Sequence, residues 1–498
     1  MKRAGLGTAR LLAALAVASV ASAAPGVVAP AGAQGAAARA SAQGAAPLPD
    51  STVRAIDALF ADHAMPASPG CAVGVYRDGA VVFAKGYGSA NLNFAVPITP
   101  ETRFTVGSVS KQFTAASIAL LVRAWRLSLD DDVRRFIPEL PDYGTPIRVR
   151  HLVHHTSGLR DFWELVVLAG WRPDDGYTTR DMLALAAAQR ALNNAPGARY
   201  LYSNTGYLLL GEIVRRVTGQ SLRAFADSAI FRPLGMRDSF FLDDHDEVVP
   251  RRATAYSPAG HGWTVNVWNN DLVGQGGLVT TIADLQKWDE NFYTGAVGGP
   301  GFLALMRTVE PLNDGGRNDY AFGLELGEYR GLRLERHTGA TGGYRAAIVR
   351  APAVHTSFVM LCNAADARTA SIPLAMADLV IGAPLGARDA APAVAAPPPQ
   401  PSAAVAVAVP RAFTGRYESA ELLGTTWDIT PGPLPSQLTL RRARGASIVL
   451  EQQAPGTFTS RSAGLTVVFD ATDRVPSTGL TVTFGEMTGL RFVRVASR

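Results

Sequence analysis

Val106-Gly107-Ser108-Val109-Ser110-Lys111-Gln112-Phe113 opens an apolar run that reads as helix to Trp125. It holds one of only four lysines in a chain of 498 residues with 43 arginines. A guanidinium keeps its charge under all ordinary conditions, whereas a desolvated ammonium can lose a proton and act as a base. Ser-x-x-Lys at a helix start sets the Ser108 hydroxyl and the Lys111 amine one turn apart on one face, near the positive end of the helix. That arrangement suits an activated serine nucleophile. Chance supplies some Ser-x-x-Lys in roughly one such chain in four, given four lysines and average serine abundance. Lys2 falls in an N-terminal leader, and Lys85 and Lys287 have no serine three residues earlier.

Two further segments carry candidate chemistry. In Tyr202-Ser203-Asn204, directly before a helical pattern, Tyr202 can exchange a proton with a neighbouring amine, or it can simply pack the helix. His337-Thr338-Gly339-Ala340 ends one strand-like run and leads through Thr341-Gly342-Gly343 into the next. Glycines there allow close approach of a substrate carbonyl to backbone N–H groups, or they mark an ordinary turn.

The order of elements predicts the fold class. A helix beginning at Asp50 precedes the runs 71–77 and 80–84, which flank the hairpin dipeptide Asp78-Gly79. Helical patterns follow at 109–125, 179–188, 205–218, 281–293 and 301–308, then strand-like runs at 320–326, 332–337, 345–351 and 356–362 and a helix at 365–380. An α+β fold results, in which an antiparallel sheet is split between the two ends of this region and a helical region is inserted between them. Domain limits are expected at 50–386 for this unit, 387–410 for an Ala/Pro-rich linker and 411–498 for a small all-β barrel or sandwich.

Composition narrows the function classes. Lys2, Arg3 and Arg10 precede the apolar stretch 11–20 and small-residue sites, so residues 1–33 read as a signal peptide cleaved after Ala23 or Ala33. Residues 34–49 read as a disordered tether, and the product as periplasmic or secreted, without a stable membrane anchor. The net charge of +5 falls to +2 without the leader, which removes the case for nucleic acid. Arg441-Arg442-Ala443-Arg444 reads as a solvated strand edge or turn. Cys71 and Cys362 lack metal-ligand spacing, and the absence of His-Glu-x-x-His makes His151, His154 and His155 structural rather than metal-binding. No metal or cofactor is implied. Trp163, Trp171, Trp263 and Trp268 lie in loop-like stretches suited to lining a cleft or to packing loops.

Taken together and in order, Phe104–Lys111, Arg150–Leu159, Tyr202–Asn204, Pro233–Met236, Gly274–Leu278 and His337–Gly339 resemble the serine β-lactamase and penicillin-binding-protein family. The likeness is to its class C and D-alanyl-D-alanine carboxypeptidase branch, which includes esterase-like members. It implies a serine hydrolase that forms an acyl-enzyme on Ser108 and cleaves an ester or amide, such as a D-amino-acid peptide. Alternatives are a β-lactamase proper and an inert relative that binds peptides or peptidoglycan. By the resemblance Lys111 and Tyr202 form the proton-transfer pair, Asn204 orients the acyl group, and the N–H groups of Ser108 and Ala340 form the oxyanion hole. His337 stands where true β-lactamases carry lysine, and a neutral imidazole supplies no fixed charge for a β-lactam carboxylate. The family sheet also sets Cys71 opposite Cys362, which offers a cross-strand disulfide as the alternative to two buried thiols. Residues 413–494 resemble the lipocalin-like domain attached to some members. The partner is a small-molecule or peptide substrate.

Overall fold

The computed structural model describes residues 46–172, 174–382, 384–386, 411–470 and 476–496. The expected leader and linker and nearly all of the tether lie outside them. Helix α1 (Asp50–Leu59) leads into strands β1 (Cys71–Arg77) and β2 (Ala80–Tyr87). Asp50 is the first helical residue rather than a cap, and Pro49 precedes it without a side-chain capping bond. Asp78 and Gly79 both adopt positive φ (50° and 76°), as a two-residue hairpin turn with the twist of its strands requires.

The helical insert follows. A tight turn, Gly107–Ser110, runs into α2 (Lys111–Arg123). Next come α3 (Phe162–Ala169), α4 (Asn204–Thr218) and α5 (Ile282–Thr294). Each of these three starts on a side chain that accepts a backbone N–H, from Asp161, Ser203 and Thr281 respectively, and each stops at a left-handed glycine, Gly170, Gly219 and Gly295.

The chain then returns to the sheet with β3 (Glu325–Tyr329), β4 (Leu332–Thr341), β5 (Tyr344–Ala351) and β6 (Thr356–Cys362), and closes the region with α6 (Ile372–Val380). The six strands run in the order β3-β4-β5-β6-β1-β2, each pair antiparallel, so the split sheet predicted above is the observed one. Several element limits differ, β2 running on to Tyr87 and β4 to Thr341. Residues 320–324 form a bent approach to β3 rather than strand, and the last helix starts at Ile372 rather than 365.

Every residue of β6 and all but the last of β1 are buried, because both faces of the sheet are covered. Helices α1 and α6 pack on one face and α5 on the other. Cys71 and Cys362 pair in register across β1 and β6 and are joined by a disulfide. Under α5 lies a polar cluster. The Arg350 guanidinium donates to Asp289 (2.7 Å) and Glu335 (3.0 Å), rests 3.8 Å from the centre of the Phe292 ring, and shares Glu335 with Arg307.

Residues 411–496 supply eight strands, β7 (Gly415–Ser419), β8 (Thr425–Pro431), β9 (Gln437–Arg442), β10 (Ile448–Ala454), β11 (Thr457–Ser460), β12 (Leu465–Phe469), β13 (Gly479–Phe484) and β14 (Met487–Val495). They close into a barrel in sequence order, with β7 against β14. Strand-like runs in the sequence at 436–441, 447–452, 465–469, 480–484 and 490–495 correspond to five of these strands, and the structure decides between the barrel and sandwich they left open. Eight strands leave an interior just wide enough for side chains, and Trp427, Leu438, Leu440, Phe458, Val467 and Phe492 are among the buried residues that fill it. Barrel and sheet region fall within one compact unit. Residues 441–444 run from the exposed end of β9 into a bend, as read from the sequence, although two of the arginines also reach the larger region. Arg442 donates to the Val167 carbonyl (2.6 Å), and Arg444 pairs with Asp175 (3.0 Å).

Candidate active site

Ser108 sits in the tight turn before α2, and Lys111 is the first residue of that helix. The Lys111 side chain is fully buried and its Nζ donates three hydrogen bonds, to Ser108 Oγ (3.0 Å), Asn204 Oδ1 (2.9 Å) and the Gln275 carbonyl (2.7 Å). All three acceptors are uncharged. Burial therefore lowers its pKa to about 7, with only the nearby Asp161 carboxylate working the other way. A lysine in that state is divided between amine and ammonium at neutral pH, and the amine accepts a proton from a hydroxyl 3.0 Å away.

Tyr202 and Ser108 line a common hollow, and the centre of the Tyr202 ring lies 4.8 Å from the Lys111 ammonium. Burial raises its pKa well above the ordinary tyrosine value. The phenol thus keeps its proton at neutral pH and has one to donate. In these states the lysine amine is able to take up a proton and the tyrosine hydroxyl to give one.

Asn204 opens α4, and its orientation is fixed. Its backbone N–H (2.6 Å) and its Nδ2 (2.9 Å) both donate to Asp161 Oδ2, so Oδ1 faces Lys111. The Asp161 carboxylate is buried, and its pKa is raised by that burial against the lowering effect of the bonds from Asn204 and Trp163. Sequence reading missed Asp161, although it stands two residues after the Arg150–Leu159 segment.

Strand β3 pairs only with residues 332–336 of β4, so 337–341 run past it along the Ser108 turn. The approach is backbone to backbone. A Cβ on Gly339 would lie 2.0 Å from the Val106 carbonyl oxygen, and one on Gly107, whose φ is +51°, would lie 2.6 Å from Ala340 N. Glycine at both places brings the Ser108 and Ala340 amides beside one another at the mouth of the site. Thr338 and Gly339 line a hollow of about 580 Å³ together with Ser108, Tyr202, Arg345 and Arg368. A second hollow of about 590 Å³ meets it at Ser108 and Ala340, and is lined by Asn204, Trp163, Trp268, Asn266, Arg252 and Glu247, among others. Trp163 lies in the first turn of α3 rather than in a loop. Trp171 instead stacks on Tyr177, and Trp263 packs against the core beneath α1 and α6.

His337 is buried, and its pKa is lowered to about 3 by that burial and by the Lys111 charge, so the ring is neutral. Its Nδ1 lies 2.5 Å from the Thr338 carbonyl, which can only accept, so Nδ1 carries the hydrogen and Nε2 accepts from the Tyr320 hydroxyl at 2.8 Å. The other histidines also have structural partners. His151 Nδ1 accepts from Arg148 N, His154 Nδ1 meets the Tyr320 carbonyl, and His155 Nδ1 accepts from Ser203 N beside Tyr202. The Gln275 carbonyl and Tyr320 are not legible in the sequence, because a main-chain oxygen leaves no residue-type signal and Tyr320 falls in a run read as strand.

Residues 54–383 match the model of the family described as Beta-lactamase. The chain is 30% identical over 278 residues to a D-aminopeptidase of Brucella anthropi, covering 56% of this chain and 52% of that one. It is 32% identical over 306 residues to a D-aminopeptidase of Gluconobacter oxydans, covering 60% and 57%. The chain thus spans little more than half the length of these curated relatives. The octameric penicillin-binding protein homologue from Pyrococcus abyssi has a similar structure, with a TM-score of 0.59 at 23% identity over 89% of this chain and 99% of that one.

Proposed function

The chain belongs to the Beta-lactamase family, and on that premise we propose that it is an exported serine hydrolase that cleaves an amide or ester through an acyl-enzyme on Ser108. The observation that carries this reading is the Lys111 amine, fully buried, 3.0 Å from Ser108 Oγ and with its pKa lowered to about 7. In the first step Ser108 Oγ bonds to the substrate carbonyl carbon while its proton passes to Lys111. The Ser108 and Ala340 N–H groups receive the oxyanion. Collapse of the tetrahedral adduct breaks the scissile bond, and the Tyr202 hydroxyl donates its proton to the leaving group. Tyr202 regains a proton from Lys111, and water then attacks the acyl carbon to release the acid and restore Ser108.

Relatives named D-aminopeptidase support D-amino-acid amides and short peptides as the substrate class. The two hollows that meet at Ser108 give room for a group on each side of the scissile bond. His337 without charge disfavours a β-lactam as the preferred substrate. Export rests on the charged and apolar pattern of residues 1–33.

Labelling with a fluorophosphonate, together with turnover of a p-nitrophenyl ester, D-alanine p-nitroanilide and nitrocefin, tests the reading in wild type and Ser108→Ala. Ser108-dependent labelling with the anilide or ester as best substrate is expected. No Ser108-dependent adduct or turnover sinks the acyl-enzyme, and nitrocefin as best substrate makes the protein a β-lactamase. N-terminal sequencing of the exported product, expected to begin after Ala23 or Ala33, tests the leader.

A further inference from the structure

Helix α3 is held by the barrel at both ends. At its C-terminal end the Val167 carbonyl, which also takes the Gly170 N–H, accepts from Arg442 Nη1 (2.6 Å), and the Leu168 carbonyl accepts from Trp427 Nε1 (3.1 Å) of the barrel. Just before its N-terminal end, Arg160 sends its guanidinium into the barrel. Nη1 donates to Glu421 Oε2 (2.6 Å) and Nη2 to the Thr488 carbonyl (2.9 Å), with side chains 0% and 5% exposed for Arg160 and Glu421. Glu421, in the connection between β7 and β8, also accepts from Arg190 N at 2.9 Å.

The residues flanking that guanidinium hold the catalytic lysine. The Arg160 carbonyl accepts from Thr205 Oγ1 (2.8 Å), which in turn accepts from Phe162 N (2.9 Å). Between them Asp161 takes both donors of Asn204, and Asn204 Oδ1 takes Lys111. Were the Asn204 amide to turn over, its NH2 would face the lysine ammonium, so the orientation depends on Asp161 staying in place. Arg160 is the residue that ties this segment to the barrel, and Glu421 is the carboxylate that neutralises it.

We propose that Glu421 is a positioning residue for the hydrolytic site. Through Arg160 it holds Asp161, and through Asp161 the Asn204 amide that receives the Lys111 hydrogen bond. The barrel is thereby part of the catalytic apparatus, although none of its residues lines the hollows at Ser108. The inference rests on the acyl-enzyme reading for its kinetic consequence but not for its structural one.

The full-length double variant Arg160→Met/Glu421→Leu removes both charges together and leaves no unpaired buried ion, so the barrel stays docked through its other contacts. Arg444→Ala, which deletes an exposed contact of the same interface, is the control. Ester turnover and hydrogen exchange are measured on both. In the double variant kcat is expected to fall about 10- to 100-fold with KM changed less than about threefold, as a small displacement of catalytic groups produces. Exchange over 202–207 should quicken, while Arg444→Ala changes neither. A folded double variant with wild-type kcat overturns the proposal, and so does unchanged exchange over 202–207, whatever the rate does. If the wild type shows no Ser108-dependent turnover, the acyl-enzyme reading fails, and the exchange result alone then decides whether Glu421 holds Asn204.

Discussion

Lys111 and Arg350 are buried to nearly the same degree, 0% and 1% exposed, and the protein treats them in opposite ways. Arg350 is given two carboxylates, Asp289 and Glu335, and the face of Phe292. Lys111 is given a hydroxyl, an amide oxygen and a main-chain carbonyl, and its nearby carboxylate is already committed to Asn204. A buried cation beside carboxylates keeps its charge and anchors structure. One surrounded by neutral oxygens holds its proton loosely, and that looseness is what a general base requires. The choice of lysine at one place and arginine at the other follows, since a guanidinium does not give up its proton in either setting.

Replacing the loose cation by a fixed one is the severest way to break this contrast. Lys111→Arg keeps a positive charge and should lower the rate of Ser108 acylation by about 10³-fold or more, the scale of a lost general base. Fluorophosphonate labelling rates measure it, and near-normal labelling would show that charge rather than proton transfer matters. At the other pole, Arg350→Ala leaves the buried Asp289 without its cation and Glu335 with Arg307 alone, and should destabilise the fold by about 3–5 kcal/mol in urea titrations. The pH midpoint of acylation should stay near 7, because Arg350 does not touch the site.

A gentler test uses linkage. The folded-state pKa of Lys111 is depressed from 10.5 to about 7. Between those values the unfolded chain holds a proton that the folded protein has released, so stability should rise with pH across that window. Relative to Lys111→Met, the wild type should gain about 2 kcal/mol between pH 7 and 9. Acylation should rise over the same pH range as the amine is freed, and a flat difference would mean that the lysine is not perturbed. Smallest of all, Arg444→Ala removes a half-exposed pair with Asp175 and should change stability by less than about 0.5 kcal/mol.

Legibility in the sequence followed the same division between side chains and backbone. Ser108 and Lys111 stand out by residue type and spacing, Tyr202, Asn204 and His337 enter the site through the family resemblance, and the structure brings all five together. Asp161 is one residue type among many until its carboxylate is seen to take both donors of Asn204, and the Gln275 oxygen belongs to every amino acid alike. In the sheet region the hairpin at Asp78-Gly79 and the run 356–362 were readable because turn residues bracket them. Residues 320–324 were misread as strand because Tyr320, Phe322 and Leu324 alternate, yet they bury those side chains in a bend. In the barrel 415–419, 425–431 and 457–460 were missed. They are short or interrupted by threonine and charged residues, since one face of each strand meets solvent.

The bond between Cys71 and Cys362 encloses 291 positions of chain, and all of the proposed catalytic residues lie inside that span. A protease that nicks any loop between them produces two pieces that cannot drift apart while the bond is oxidised. The cut protein migrates as one species without reductant and as two with it, and Ser108 and Lys111 remain tethered to a common scaffold. Under the proposed export, a clipped loop then becomes a survivable injury.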